Sequence, residues 1–229
     1  ALAQGTRPED LFLVPEQVAL ARIHDDESGW LEQLAGVRPG ITLFAAADSD
    51  IQFVLRAFAV LAEEVEDAHL LIECADAKLV ERHAAQLDLG ARMHPVGPSD
   101  RARALACATI VIAGANADGP NPLVLGALAH GRALLAADVP ANREVTPHGR
   151  GCLWYAANSA RDLAFRAAFL ARNADFASAL GATGSAHLQA TRGASAVARR
   201  YDAVYRHAAE RHRGGPDLLH RVPALAPCC

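Results

Sequence analysis

Short apolar runs alternate with longer amphipathic segments between residues 41 and 156. The clearest runs are ITLFAA (41–46), HLLIEC (69–74) and TIVIAG (109–114). They are almost uninterrupted, which predicts strands buried on both faces. The segments between them, such as IQFVLRAFAVLAEEV (51–65), carry apolar residues at three- and four-residue spacing, which predicts helices. This alternation predicts a Rossmann-like α/β fold, a parallel sheet with helices on both faces.

Three weaker runs extend the predicted sheet. They are RMHPVG (92–97), RALLAAD (132–138) and GCLWYA (151–156), and the last is predicted to be an edge strand. Between the strands, KLVERHAAQLDLG (78–90) predicts an amphipathic helix closed by Gly90. Ser99 and Asp100 are predicted N-caps of the helix that follows them.

Only helical periodicity remains from Ser159 to His212, and Tyr201 and Tyr205 are spaced there as packing residues on one helix face. The chain is predicted to comprise three parts. These are an N-terminal segment or interdomain remnant (1–40), one domain (41–212) and a flexible tail (213–229). In the first part DLFLVP predicts a strand and GWLEQLAG predicts a helix.

The charge and hydropathy of the chain exclude two classes of partner. The 22 lysines and arginines stand against 26 aspartates and glutamates, a formal net charge of −4. Nucleic acid binding needs a basic face, so no nucleic acid partner is expected. No run reaches the roughly 18 apolar residues of a membrane span. The chain begins at Ala1 without a charged-then-apolar leader, which predicts no signal peptide and is compatible with a piece of a longer chain.

The cysteines indicate the redox compartment, and the absence of three sequence motifs argues against three kinds of site. Cys74, Cys107 and Cys152 lie in apolar runs, as buried thiols do, and Cys228 and Cys229 are adjacent in a Pro-rich tail. This usage predicts a reducing, cytoplasmic compartment. No paired cysteine motif predicts a zinc site, no G-x-S-x-G elbow predicts a hydrolase, and no G-x-G-x-x-G follows the first strand. The sequence predicts neither a metal nor a cofactor.

The polar segment AGANADGPNP (113–122) joins the strongest strand to the next helix. In open parallel sheets, ligands bind beyond the carboxyl ends of the strands, where such loops meet. Asn121 is a predicted N-cap and Pro122 suits the first helical turn, so backbone N–H groups there are predicted to face an anion. Asn116 and Asp118 complete the polar rim of this loop.

Two further positions each allow two interpretations. His130 precedes a glycine at the end of a helix, where the residue is typical either of a helix cap or of a ligand. Arg143 and Glu144 follow the strand ending at Asp138. They either reach the ligand cleft or form a surface ion pair.

From about residue 41 to residue 210, the order and spacing of these elements resemble the C-terminal, nucleotide-sugar-binding domain of the GT-B glycosyltransferases. The resemblance rests on ITLFAAA, on DRARALACATIVIAGA and above all on PLVLGALAHGRALLAADVPANREVTPHGRGCLWYA. It implies a nucleotide sugar ligand of unspecified base and sugar. It also implies an N-terminal acceptor-binding domain or a partner chain, because GT-B transfer takes place between two domains. The chain alone is then expected to be incomplete or inactive.

The resemblance also implies site residues. The family carries two glutamates in its donor loop, and Asp118 and Gly126 stand in their positions. Asp118 is therefore the implied catalytic residue. The implied donor-binding residues are Asn116, Gly119, Asn121, Leu123 and Arg143. The family holds the donor diphosphate with an arginine and a lysine after its first strand, and this chain has Asp48 and Asp50 there.

Three hypotheses follow for the function. The chain is the donor-binding part of a GT-B glycosyltransferase, or a GT-B-like binding or assembly module without catalysis, or an unrelated Rossmann-like enzyme with a non-nucleotide ligand. The donor-loop framework favours the first and the missing cations favour the second, whereas only fold analogy favours the third.

Overall fold

Six parallel strands form one sheet in the computed structural model of the chain, which describes residues 27–36, 40–46, 50–115 and 121–212. The strands are β1 (Ile41–Ala45), β2 (Ala68–Glu73), β3 (Met93–Val96), β4 (Ile110–Ala113), β5 (Ala133–Ala137) and β6 (Cys152–Tyr155). The helices of the described residues are α1 (Glu27–Ala35), α2 (Ile51–Glu64), α3 (Ala77–Ala85), α4 (Arg101–Cys107), α5 (Pro122–Ala129), α6 (Pro140–Val145), α7 (Ala160–Arg172), α8 (Ala174–Arg192) and α9 (Ala194–His212).

The strand order is β3-β2-β1-β4-β5-β6, and every neighbouring pair is parallel. The predicted parallel sheet and the predicted edge position of β6 are therefore confirmed. The chain first winds outward from β1 to β3 and then returns to β4 beside β1. This reversal places the switch point of the fold between β1 and β4, where open α/β sheets bind their ligands.

The sheet separates two hydrophobic layers, because alternate residues of a strand point to opposite faces. Leu43, Leu70 and Ile112 pack on one face with residues of α2, α3 and α7. Phe44 and Val111 pack on the other face with residues of α1, α4 and α5. Helices cover both faces, which explains why the strands are apolar along nearly their whole length.

The C-terminal helices are present as predicted, but their tyrosines are not packing residues. Helix α7 packs on α2, α8 packs on α5 and β5, and α9 packs on α8. Tyr201 and Tyr205 of α9 are 48% and 69% exposed. Their rings stack on each other with centroids 6.3 Å apart. The prediction that they pack into a core is wrong because no described element covers that face of α9.

Helix α3 ends earlier than its periodicity predicted. The predicted closure at Gly90 is wrong, because Asp88 already adopts a left-handed conformation with φ of 55°. The N–H of Leu89 donates to the carbonyl of Ala84 at 3.0 Å, and Leu89 is buried. This is the bonding of a Schellman cap, in which the residue after the left-handed one makes the apolar contact. Aspartate tolerates this backbone region better than most residues do.

The predicted caps of α4 and α5 have different outcomes. Asp100 precedes α4, but its side chain makes no capping hydrogen bond and instead lies 3.6 Å from the Arg103 guanidinium. Asp100 therefore occupies the predicted N-cap position without a side-chain cap, and Ser99 lies in the 3-10 turn at residues 98–100 that leads into the helix. At the end of α5, His130 is the C-cap residue, and its Nδ1 lies 2.9 Å from the Gly126 carbonyl. The cap interpretation of His130 is confirmed.

Two histidines form a buried pair between β2 and β3. His69 Nδ1 lies 2.9 Å from His94 Nε2, so one nitrogen donates and the other accepts. The rings are nearly coplanar, at 4°, and their centroids are 5.2 Å apart. That spacing is about the N···N distance plus two ring radii, so the rings meet edge to edge. Burial lowers the pKa of both histidines, assisted by Arg92 at His69 and by His69 at His94.

The histidine pair predicts a loss of stability in mild acid. The unfolded chain binds protons as the pH falls below about 6.5, the ordinary pKa of histidine. The folded chain resists protonation because both pKa values are lowered. Stability is therefore complete above about pH 6.5 and declines below it. We expect the urea concentration at the unfolding midpoint to be lower at about pH 5.5 than at pH 7.5.

The control for this prediction is His94→Gln, which removes one of the two titrating rings and keeps a polar side chain. Its urea midpoint should depend less on pH over the same interval. An unchanged pH dependence in this variant would show that the pair is not the cause.

Candidate functional site

The carboxyl edge of the sheet is the candidate site, and its helices begin with their own caps. Four helices that follow strands there have a side chain bound to a backbone N–H of the first turn. The cap oxygens belong to Asp50 for α2, Asp76 for α3, Asn121 for α5 and Ser159 for α7. Helix N-termini attract anions through such N–H groups. Here two of these N-termini already carry a carboxylate.

The loop after β1 departs from a diphosphate site. Asp48 lies outside the described residues, whereas Asp50 is the N-cap of α2 and its Oδ1 accepts the N–H of Phe53 at 3.1 Å. The negative carboxylate is stabilised by the positive end of the helix. Asp50 thus has a structural role, and it places negative charge beside the switch point.

The predicted donor loop lies partly outside the described residues, and so do Asn116, Asp118 and Gly119. Asn121 is described and confirmed as an N-cap: its Oδ1 accepts the Leu123 N–H at 2.9 Å, and the residue is 1% exposed. The Leu123 N–H is therefore bound to the Asn121 side chain. The donor-binding roles of Asn121 and Leu123 remain predictions.

Gly126 is the residue that the family resemblance places at the position of the second glutamate. A Cβ atom added at this glycine would lie 2.9 Å from Leu105 Cδ1 on α4. The position is half-buried and directed at an apolar side chain of the neighbouring helix. The chain places no carboxylate at this point of the edge.

Arg143 forms an ion pair rather than an open cation site. Its Nε lies 2.6 Å from Asp138 Oδ1, and its guanidinium lies 5.2 Å from the centre of the Trp154 ring. The hydrogen bond to Arg143 is the main cause that lowers the pKa of Asp138. Trp154 belongs to the edge strand β6, so the Arg143 guanidinium lies near that edge of the sheet and not near β1. The surface ion pair is therefore present, and Glu144 is exposed beside it.

A second ion pair at this edge was missed by the sequence analysis. Arg101 of α4 donates from Nε and Nη2 to the two carboxylate oxygens of Glu73, at 2.6 and 2.7 Å. The Glu73 side chain is 4% exposed and that of Arg101 is 43% exposed. The available signal was a carboxylate at the end of an otherwise apolar strand, since an ionised residue is seldom buried unless it is paired.

The buried thiols are poor nucleophile candidates. Cys74 follows β2 at the carboxyl edge, and burial raises the pKa of its thiol, assisted by Asp76. Burial also raises the pKa of Cys152 to about 12. A thiol must lose its proton to react, so both stay inert near neutral pH. Cys107 is only half-buried, which corrects the expectation that all three lie in the core.

The chain matches the family model described as Glycosyl transferases group 1 over residues 40–173. The match contains all six strands and extends through α7. The chain belongs to the group 1 glycosyl transferases. The resemblance to the nucleotide-sugar-binding domain of this class is thereby confirmed at the level of family. Among curated proteins no match is found.

Solved structures of this fold match at low sequence identity. Anabaena HepE in complex with UDP-glucose superposes with a TM-score of 0.73 at 14% identity, covering 91% of this chain and 60% of HepE. A glycosyltransferase from Rickettsia africae superposes with a TM-score of 0.70 at 13% identity, covering 86% of this chain and 57% of its own. This chain thus spans less than two thirds of either protein.

An isolated domain of the same family gives a more complete match. The C-terminal domain of the group 1 glycosyl transferase LpcC from Francisella tularensis superposes with a TM-score of 0.65 at 16% identity. The match covers 77% of this chain and 99% of that domain. Across the described part of this chain, no helix combines the length and apolar character that crossing a membrane requires.

Proposed function

We propose that this chain is the donor-binding part of a glycosyltransferase and holds a nucleoside diphosphate sugar at the carboxyl edge of its sheet. The observation that carries the proposal is the position of α5. In this group 1 family domain, Asn121 caps the N-terminus of α5, the helix that follows β4 beside the β1/β4 switch point. That is where open α/β sheets bind their ligands.

We further propose that residues 41–212 form the donor-binding unit and act with an N-terminal acceptor-binding domain or a partner chain. This is supported by the extent of the matches. The chain covers 99% of the isolated C-terminal LpcC domain but only 60% of HepE. Asp118 remains the proposed catalytic residue, in contact with the transferred sugar.

The binding is expected to be weak. The loops at residues 46–50 and 115–121 contain no lysine or arginine. A helix N-terminus contributes roughly 0.3–1 kcal/mol per exposed anionic charge and about 2 kcal/mol when partly buried. A micromolar complex needs about −8 kcal/mol in total. Affinity in the high micromolar range or weaker is therefore the expected result.

Isothermal titration calorimetry with uridine and guanosine diphosphate sugars tests this expectation. Arg143→Ala should weaken binding if Arg143 leaves Asp138 to meet the diphosphate, whereas Arg199→Ala, on the exposed face of α9, should have no effect. Sub-micromolar binding would contradict the expected weakness. No binding of any nucleotide sugar would favour the alternative, a binding or assembly module.

A further inference from the structure

Three phenylalanines near the junction of α7 and α8 are exposed to solvent. Phe165 is 73% exposed, Phe169 is 42% exposed and Phe176 is 43% exposed. The rings of Phe169 and Phe176 meet edge to face with centroids 5.4 Å apart, which joins the end of α7 to the first turn of α8. Phe165 lies one turn before Phe169 on the same face of α7. The three rings therefore form one apolar surface, which we call the phenylalanine patch.

The phenylalanine patch is larger than the exposure of a single apolar residue. A whole phenylalanine side chain has an area of about 200 Å², so the three rings together expose roughly 300 Å². The largest apolar patch on a monomeric protein is about 300–600 Å² and often marks a binding surface. Leu163, Ala167 and Leu170 on the opposite face of α7 already pack in the core beside α2. The exposed phenylalanines are therefore not needed to attach α7 to the domain.

Four charged side chains beside the patch neutralise one another in two pairs. Arg166 Nε lies 3.0 Å from Asp162 Oδ1 within α7. Arg172 Nη2, at the end of α7, lies 2.8 Å from Glu64 Oε2 of α2. An anionic membrane attracts an excess of positive charge, and these pairs provide none. The patch is therefore suited to a protein surface rather than to an anionic lipid surface.

One further charge lies at each end of the patch. Arg161 lies one turn before Phe165, and Asp175 lies directly before Phe176. Both are exposed, and neither forms an ion pair with another residue in the part of the chain that the structure describes. The patch thus has a cation at one end, an anion at the other end and aromatic rings between them.

We propose that the phenylalanine patch is the core of a two-fold interface with a second copy of this chain, in which the two α7 helices run antiparallel. A two-fold interface uses the same surface of both copies, so that surface must be complementary to itself. An axis between Phe165 and Phe169 sets Phe165 of each copy against Phe169 of the other. The same axis brings Arg161 of each copy toward Asp175 of the other. A parallel arrangement would instead place like charges together.

The area of the patch sets the expected strength of this dimer. A stable interface of standard size buries about 800 Å² on each partner. The phenylalanines supply roughly 300 Å² of apolar area, and the rest of the outer face of α7 and the first turn of α8 supplies a polar rim. The interface is therefore at the small end of the range, and we expect a dissociation constant in the micromolar range.

Sedimentation equilibrium of the full chain, across the micromolar range, measures this association. The wild type should approach twice the mass of one chain. Phe165→Asp should raise the dissociation constant about tenfold or more, because it places a charge in the apolar core of the interface. The matched control is Tyr205→Asp on α9, since Tyr205 is 69% exposed and lies outside the patch. It should leave the dissociation constant unchanged, and circular dichroism should show equal helix content in both variants.

An exchange of charges tests the antiparallel arrangement itself. Arg161→Glu and Asp175→Arg should each self-associate less than the wild type, because each variant places like charges together at both ends of its interface. An equimolar mixture of the two variants should regain the association of the wild type. In the mixed dimer both ends again join opposite charges, which favours that pairing over either variant alone.

Three results would overturn the proposal. The first is a wild-type chain that stays monomeric across the whole concentration range, whatever else covers the patch. The second is a dimer that Phe165→Asp leaves intact, or that Phe165→Asp and Tyr205→Asp weaken equally, because the interface would then lie elsewhere. The third is a mixture of the two charge variants that associates no more strongly than its components.

Discussion

Gly181→Ala is expected to destabilise the domain by about 3 kcal/mol or more, because α8 packs backbone to backbone against the turn before β5. A Cβ atom on Gly181 would lie 2.1 Å from the carbonyl oxygen of Gly131. The obstacle is main chain and cannot rotate away as a side chain would. Helix α8 would have to move off α5 and β5, which it covers.

The same substitution in another helix provides the control. Gly29 lies in α1, and a Cβ atom there would meet nothing within 4 Å. Gly29→Ala should raise stability by about 0.5–1 kcal/mol, because alanine is the better helix former. Urea unfolding followed by circular dichroism measures both variants. A Gly181→Ala protein as stable as the wild type would disprove the close approach of α8.

Arg101→Ala is expected to cost about 2–4 kcal/mol, since it leaves the Glu73 carboxylate buried without its partner. The figure is below that of a fully buried pair because the Arg101 side chain is 43% exposed. Arg143→Ala is the matched control. Its partner Asp138 is 35% exposed, so the loss there should be below about 1 kcal/mol.

A second substitution checks the cause of the Arg101 effect. Glu73→Gln in the Arg101→Ala background removes the unpaired charge and should recover part of the lost stability, as urea midpoints would show. Equal losses in Arg101→Ala and Arg143→Ala would contradict the argument, because burial of the carboxylate would then make no difference.

The strands could be predicted from the sequence because their burial on both faces requires a continuous run of apolar residues. A strand covered on both faces is apolar along its length, as in β2 and β4, and no knowledge of the neighbouring strands is needed to see it. The N-cap at Asn121 was equally local, because the cap and the N–H it accepts are two residues apart. The end of α3 was misplaced because Asp88 and Gly90 are both able to end a helix, and the position of buried Leu89 decides between them.

The candidate site could be predicted only in outline. The sequence shows that residues 46–50 and 115–121, which follow β1 and β4, contain no lysine or arginine. It also shows that the segment after β1 contains the acidic residues Asp48 and Asp50. The pairing of Glu73 is not visible there, because its partner Arg101 lies 28 residues away in the sequence. Arg143 shows the same limit, since either of its interpretations was consistent with its neighbours in the chain.

Gly181 shows the difference between what the local sequence predicts and what the tertiary contacts decide. The sequence by itself determined the α/β class, the order of strands and helices, and the absence of lysine and arginine from residues 46–50 and 115–121. These properties depend only on residue type and short-range spacing. By propensity alone, a glycine inside α8 predicts that alanine would stabilise the helix. Only the tertiary structure reverses that sign, because it brings Gly131, fifty residues away in the sequence, against the same helix. Contacts between distant segments have no local signature, and they decide the packing of α8 and the ion pair between Glu73 and Arg101.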